Sequence, residues 1–395
     1  MEEREDGWVE KERVLPLFHP PFQSSIHPPR SAAHRRGVDQ RTEDPAVRGQ
    51  TPADGFLTRS RDGGTLAAAM RHLLWAIWAA AASAALAGGP SPPKQPASGP
   101  GGTDYAHAKV TTRQYGSGVE QYWILEPAEP APKAAPLIVF NHGWMGMRPV
   151  VYLGWLHHLA RRGNIVVFPR YQLGPTTRPW TFARNAIAAV KAALEELQRP
   201  GHVRPQLDRF AIAGHSAGGA ITADMAALAA EKGLPTPKAI MVVQPGRGLR
   251  RAHTPLFPAA DYKKIPKDTL MLVVVGSDDR IVGDVAALDL FRRTPQIPAD
   301  RKDYIIMHSD RHGHPPLIAD HESPCSPILP HVVLTGRRIN ALDTHGYWKL
   351  FDALTDFAFH GTHKAYALGA TPEQRSMGQW SDGTPVKLLT VTDEP

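Results

Sequence analysis

The sequence predicts an α/β fold, a mostly parallel central sheet with helices on both faces. Three observations lead there. Short apolar runs such as 137–140 and 272–275 have the length of strands buried on both faces. Between such runs, apolar residues recur at helical spacing, as Ile187, Val190, Leu194 and Leu197 do. A glycine-framed serine, Gly214-His215-Ser216-Ala217-Gly218, also stands where one strand gives way to a helix.

Taken in order, Lys109–Tyr115 and 119–125 read as an opening hairpin across Gly116-Ser117-Gly118. A buried strand follows at 136–143, a helix at 150–162 and a second buried strand at 164–168. The helical pattern at 180–197 ends at Pro200-Gly201. Next come a strand at 209–214, a helix from Ala217 to about Lys232, and strands at 239–243, 270–276 and 303–308. The last helix is expected at 347–359. No internal repeat is evident, and residues 106–395 read as one domain.

At 395 residues, 42% hydrophobic and 21% charged, the chain can bury a sizeable core. Its formal charge of +7 is spread along the sequence. No basic stripe with stacking aromatics marks it as a nucleic-acid binder, so no nucleic-acid partner is expected. The one small basic cluster, Arg247, Arg250 and Arg251, reads as a solvated face. Cys325 is the only cysteine, which excludes an intrachain disulfide but not secretion. It reads as a thiol without a catalytic role.

The N-terminal 105 residues carry a different pattern. Residues 70–87 read as a signal peptide: Met70-Arg71-His72, an apolar run at 73–87, and Ala85-Leu86-Ala87 at its end. Fifteen helical residues reach roughly 22 Å, short of the ~30 Å hydrocarbon core. Stable membrane insertion after cleavage is therefore not expected, and no cysteine at the cleavage point indicates a lipid anchor. Residues 1–69 read as a disordered or wrongly assigned extension, with translation starting at Met70; the competing reading is a disordered extension before a short membrane-associated helix. Residues 88–105 read as a Pro/Gly/Ser-rich linker. A secreted or periplasmic location is expected.

Ser216 carries the chemistry. Glycines two before and two after it relieve backbone clashes in a tight strand-to-helix turn, and the helix N-terminus beneath favours negative charge. A serine hydroxyl needs a base to take its proton and a carboxylate to orient that base. On a sheet of this type the expected chain order is serine, acid, histidine. Asp279, just past the run 272–276, is the expected acid, with Asp278 second. His312, soonest past the strand ending near His308, is the expected base; His314, His345 and His321 are the alternatives. His308 reads as packed in its strand. Amides of Trp144 and Ala217 are expected to form an oxyanion hole, with His142 bracing the loop at Asn141-His142-Gly143-Trp144. Trp144 and Tyr171 are candidates for lining the substrate pocket, with plain packing as the equal alternative.

With those residues in place, the chain resembles the α/β-hydrolase superfamily, closest to secreted bacterial members related to dienelactone hydrolase, chlorophyllase and polyester hydrolases. The resemblance spans about 136–359 and rests on Asn141 to Trp144, Gly214 to Gly219, and Gly276-Ser277-Asp278-Asp279. It implies hydrolysis of small-molecule or lipid-like carboxylic esters by a lipase-like serine esterase, without a cofactor. Two departures stand out. No long helical lid lies between Gly246 and Lys267, and the C-terminal disulfide usual in polyester hydrolases is impossible here. Peptidase, thioesterase or acyltransferase activity on the same triad remains an alternative, as does a non-catalytic binding module on this scaffold. Asp310, His312, His314, Asp320 and His321 form a further alternative, a zinc-type cluster.

Overall fold

The computed structural model describes residues 89–249, 255–328 and 338–395. The expected extension at 1–69 and signal peptide at 70–87 lie outside the described residues. In chain order the main elements are β1 (Lys109–Tyr115), β2 (Tyr122–Ala128), β3 (Ala134–Asn141), α1 (Leu153–Arg161), β4 (Ile165–Pro169) and α2 (Phe182–Glu196). They continue with β5 (Arg204–His215), α3 (Ala217–Lys232), β6 (Ala239–Val243), β7 (Leu270–Gly276), α4 (Val285–Arg292), β8 (Lys302–Met307), α5 (Trp348–His360) and, after two short helical turns, β9 (Thr390–Thr392).

The strands form one sheet in the order β1-β2-β4-β3-β5-β6-β7-β8-β9. From β4 to β8 all neighbours are parallel, and antiparallel pairs occur only toward the two edges. Side chains alternate across the sheet as the period of two requires. Leu137 and Val139 join a core layer with Ile187, Val190, Ile221 and Leu290 from α2, α3 and α4. Ile138 and Phe140 face the opposite layer, with Trp155 and Leu156 of α1 and Leu350 and Phe351 of α5. Both faces are thus covered, which is why the strands read as unbroken apolar runs.

Because β3 to β8 run parallel, their carboxyl ends open onto one edge of the sheet, where ligands bind in such architectures. Three of the strands end there in site residues: β3 at Asn141, β5 at His215 and β7 at Gly276.

Some expectations shift. β2 starts at Tyr122 rather than 119 because Gly118–Glu120 forms a 3-10 turn first. α4 was not anticipated; it spans only eight residues, too few for a helical period to stand out. Between Gly246 and Lys267 the described residues hold only a 3-10 turn at Tyr262–Lys264, in keeping with the absence of a helical lid.

The segment expected as a linker is fastened to the domain. The His314 amide donates to the Pro90 carbonyl at 2.9 Å, His345 Nε2 meets the Lys94 carbonyl at 2.9 Å, and the Gly101 amide donates to Asp352 Oδ2 at 2.7 Å. Proline and glycine remove regular structure but leave carbonyls free to be bound from outside.

Arg247 also corrects the sequence reading, in which it belonged to a solvated face. Its side chain is buried, donating to Asp224 Oδ1 at 2.5 Å and to the Pro258 carbonyl at 2.7 Å, with its guanidinium 4.9 Å from the Phe257 ring centroid. Arg250 and Arg251 lie outside the described residues. Replacing one partner of a buried pair leaves the other charge uncompensated, at about 3–5 kcal/mol. Arg247→Met is expected to lower the free energy of unfolding by about that amount in urea titration. An unchanged midpoint would show that Asp224 is not held by this pair.

Candidate active site

Ser216 sits in the step from β5 to α3 with φ 57° and ψ −124°, a backbone region that side chains rarely adopt. The turn is so tight that a Cβ on Gly214 would lie 2.3 Å from the Gly218 carbonyl, and one on Gly218 would lie 2.2 Å from the carbonyls of Asn141 and His142. The two framing glycines are therefore steric necessities. The serine is tied down by its own amide donating to Val243 O at 2.9 Å, and by the Gly246 amide donating to its carbonyl at 3.0 Å.

His321, an understudy in the sequence reading, faces this serine. Its Nε2 lies 2.9 Å from Ser216 Oγ, and its Nδ1 lies 2.7 Å from Asp279 Oδ2. Asp279 is buried, and its Oδ1 accepts from the amides of Ile281 at 2.9 Å and Val282 at 3.1 Å. Burial pushes its carboxyl up, but the His321 bond and these amides outweigh it and hold the group below its ordinary 3.8. A hydroxyl, an imidazole and a carboxylate in this sequence can pass a proton from oxygen to nitrogen while stabilising the imidazolium that results.

His312 is not part of this array. Its Nε2 contacts Asp382 Oδ2 at 2.8 Å. The reason lies in the loop after β8. Asp310 and Leu317 pair as an isolated antiparallel bridge, so the chain turns back on itself after His312. It then runs beside the end of β7, with the Asp278 amide donating to Ala319 O at 3.0 Å, and delivers His321 to Ser216. Nearness to the strand end along the sequence was the wrong measure. His314 and His345 hold the 89–105 segment, and His308 Nε2 contacts Thr390 Oγ1 at 2.8 Å beyond the end of β8. Asp278 pairs with Arg311 at 2.6 Å.

The Asp310–His321 cluster is likewise dispersed. Asp310 Oδ2 accepts from Trp380 Nε1 at 3.2 Å and from the Lys387 amide at 2.9 Å, whereas His321 bonds to Ser216 and Asp279. Among the described residues no group of three or more His, Cys, Asp or Glu side chains is arranged to hold a metal ion.

The loop after β3 lies against the serine: a Cβ on Gly143 would stand 3.2 Å from Ser216 Cβ. The Gly143 amide donates to Tyr152 Oη at 2.9 Å and the Met145 amide to Gln172 Oε1 at 2.9 Å. His142 braces this loop, its ring stacked 4.0 Å from that of Tyr171 and its Nδ1 2.6 Å from the Gly143 carbonyl. Burial lowers its pKa to about 4, so it is neutral at pH 7. Tyr171 is fully buried and donates its hydroxyl to the His142 carbonyl; it supports the loop from beneath and does not line a pocket. Trp144 is 38% exposed and rests near Phe182, with ring centroids 5.6 Å apart.

A family model described as alpha/beta hydrolase fold matches residues 138–275, from β3 to the end of β7. The match includes the elbow serine, and the sheet order and topology agree with it. The chain has the α/β-hydrolase fold. The match supports a hydrolase, and no curated protein matches the chain beyond it.

The depressed pKa of Asp279 makes a signed prediction for this hydrolase. A carboxyl held below its unfolded value stabilises the fold above that value, and the contribution fades as pH falls through the folded value. Asp279→Asn is expected to unfold more easily than the parent at pH 7, with the gap closing below about pH 4. A gap that persists unchanged at pH 3 in thermal melts would contradict it.

Proposed function

We propose that this hydrolase cleaves carboxylic esters through an acyl-enzyme, with Ser216 as nucleophile, His321 as base and Asp279 as its orienting carboxylate. The reading is carried by the continuous array from Ser216 Oγ through His321 to Asp279, at 2.9 and 2.7 Å, on a positive-φ elbow.

In this mechanism Ser216 Oγ bonds to the ester carbonyl carbon as its proton passes to His321 Nε2. The carbonyl oxygen takes the electron pair, and the amides of Trp144 and Ala217 stabilise the charge. His321 then gives its proton to the departing alcohol. Water, deprotonated by the same ring, attacks the acyl-enzyme and releases the acid. No metal or organic cofactor is required by these steps. The exposed Trp144 beside the serine supports an apolar acyl or alcohol group in the substrate. Export directed by residues 70–87, to a secreted or periplasmic location, belongs to the same proposal and rests on the sequence pattern.

Hydrolysis of p-nitrophenyl esters of increasing chain length tests the assignment. Ser216→Ala and His321→Ala are each expected to lower kcat by about 10⁴-fold or more, whereas His312→Ala keeps turnover close to the parent. Loss in His312→Ala with activity retained in His321→Ala would overturn the choice of base.

A further inference from the structure

Two buried side chains beside the site take no part in the proton path above. Tyr152 stands at the start of α1 and His215 is the last residue of β5, and both are buried. Tyr152 Oη accepts from the Gly143 amide at 2.9 Å and lies 2.9 Å from His215 Nδ1. The phenol, which also faces the Cys325 thiol, thus joins the loop after β3 to the ring at the end of β5.

His215 Nε2 and Gln244 Oε1 are both buried, and among the described residues neither makes a hydrogen bond of ordinary geometry. Burial drives the His215 pKa down to about 3, while the His321 main-chain carbonyl and the Gln244 side chain act in the opposite direction, as acceptors facing the ring do. The His215 and His321 rings are 4.9 Å apart. Gln244 is held with φ 44°, its amide bound to Val274 O at 2.7 Å and its Nε2 donating to Asp320 O at 2.8 Å, one residue before His321. The chain Gly143–Tyr152–His215 thus starts on the oxyanion loop and ends against the segment that carries His321.

We propose that Tyr152 and His215 are positioning residues that hold the loop bearing the Trp144 amide in register with the His321 segment, Gln244 anchoring the far end. This rests on the oxyanion and base roles proposed above. Neither residue touches the reacting atoms. Their effect appears where geometry matters most, in stabilising the tetrahedral oxyanion, because misplacing a site group by about 1 Å costs about 10²-fold in rate.

Tyr152→Phe keeps the ring that packs 5.0 Å from Phe140 and removes only the hydroxyl. It is expected to lower kcat on p-nitrophenyl esters about 10- to 100-fold with KM little changed, and to weaken a boronic acid, which mimics the tetrahedral state, by the same factor. His215→Leu reaches the same link from the other side and carries the test if Tyr152→Phe does not fold. The double variant is expected to be no worse than the more impaired single one, since both break one chain. A parent-like kcat in either folded variant, a loss confined to KM, or losses that multiply in the double variant would overturn the proposal. Ser216→Ala and His321→Ala run beside them separate the two levels. Activity surviving in those removes the underlying mechanism, whereas activity lost there but intact in Tyr152→Phe removes only the positioning role.

Discussion

The left-handed backbone of Ser216 is the constraint on which the site depends. Such a conformation costs of order 1–3 kcal/mol for a residue with a side chain. It persists because β5 and α3 leave no other way to make the turn and because neighbours bind both ends of the residue. Val243 and Gly246 supply those bonds, and Gly214 and Gly218 supply the clearance against which any Cβ would collide. The strain has a chemical consequence: the hydroxyl is lifted off the sheet into line with His321, above the first amides of α3. A relaxed backbone at that position would turn the oxygen away from the ring.

Everything else at the site is arranged around that fixed point by loops from neighbouring strands. β3 brings the His142–Met145 loop, β7 brings Asp279, and the long excursion after β8 brings His321. The parallel sheet makes this convergence possible because consecutive strand ends all open on the same side. Buried polar residues join the loops beneath the surface. His142 and Tyr171 stack under one loop, while Gln244 and the Asp279 amide contacts tie others to the strand ends. The site is thus a set of separate loops with a shared polar floor.

Local features of this arrangement were legible in the sequence. The bounds of α3, β6 and β7 follow from apolar runs that end in turn residues, and the elbow is visible because its glycines answer a steric demand within five residues. Asp279 was legible for the same reason, standing directly after a buried strand. His321 was not. Its placement depends on the Asp310–Leu317 bridge and on contacts of the returning chain with the end of β7, pairings between residues with no shared periodic signal. The burial of Arg247 escaped notice likewise, and that of Tyr171 stayed undecided between packing and pocket lining, since both depend on partners distant in the chain, Asp224 for one and His142 for the other. One signal did exist for His321: it is the only one of the four candidate histidines directly preceded by an aspartate and followed by a glutamate, a polar setting suited to a loop at the surface.

The most direct measurement is the site of covalent capture by a fluorophosphonate, located by peptide mass spectrometry on the full chain. The account predicts a single adduct on Ser216, with labelling nearly abolished in His321→Ala and hydrolysis lost in step with modification. Modification of another residue, or ester hydrolysis that continues after Ser216 is fully labelled, would contradict it.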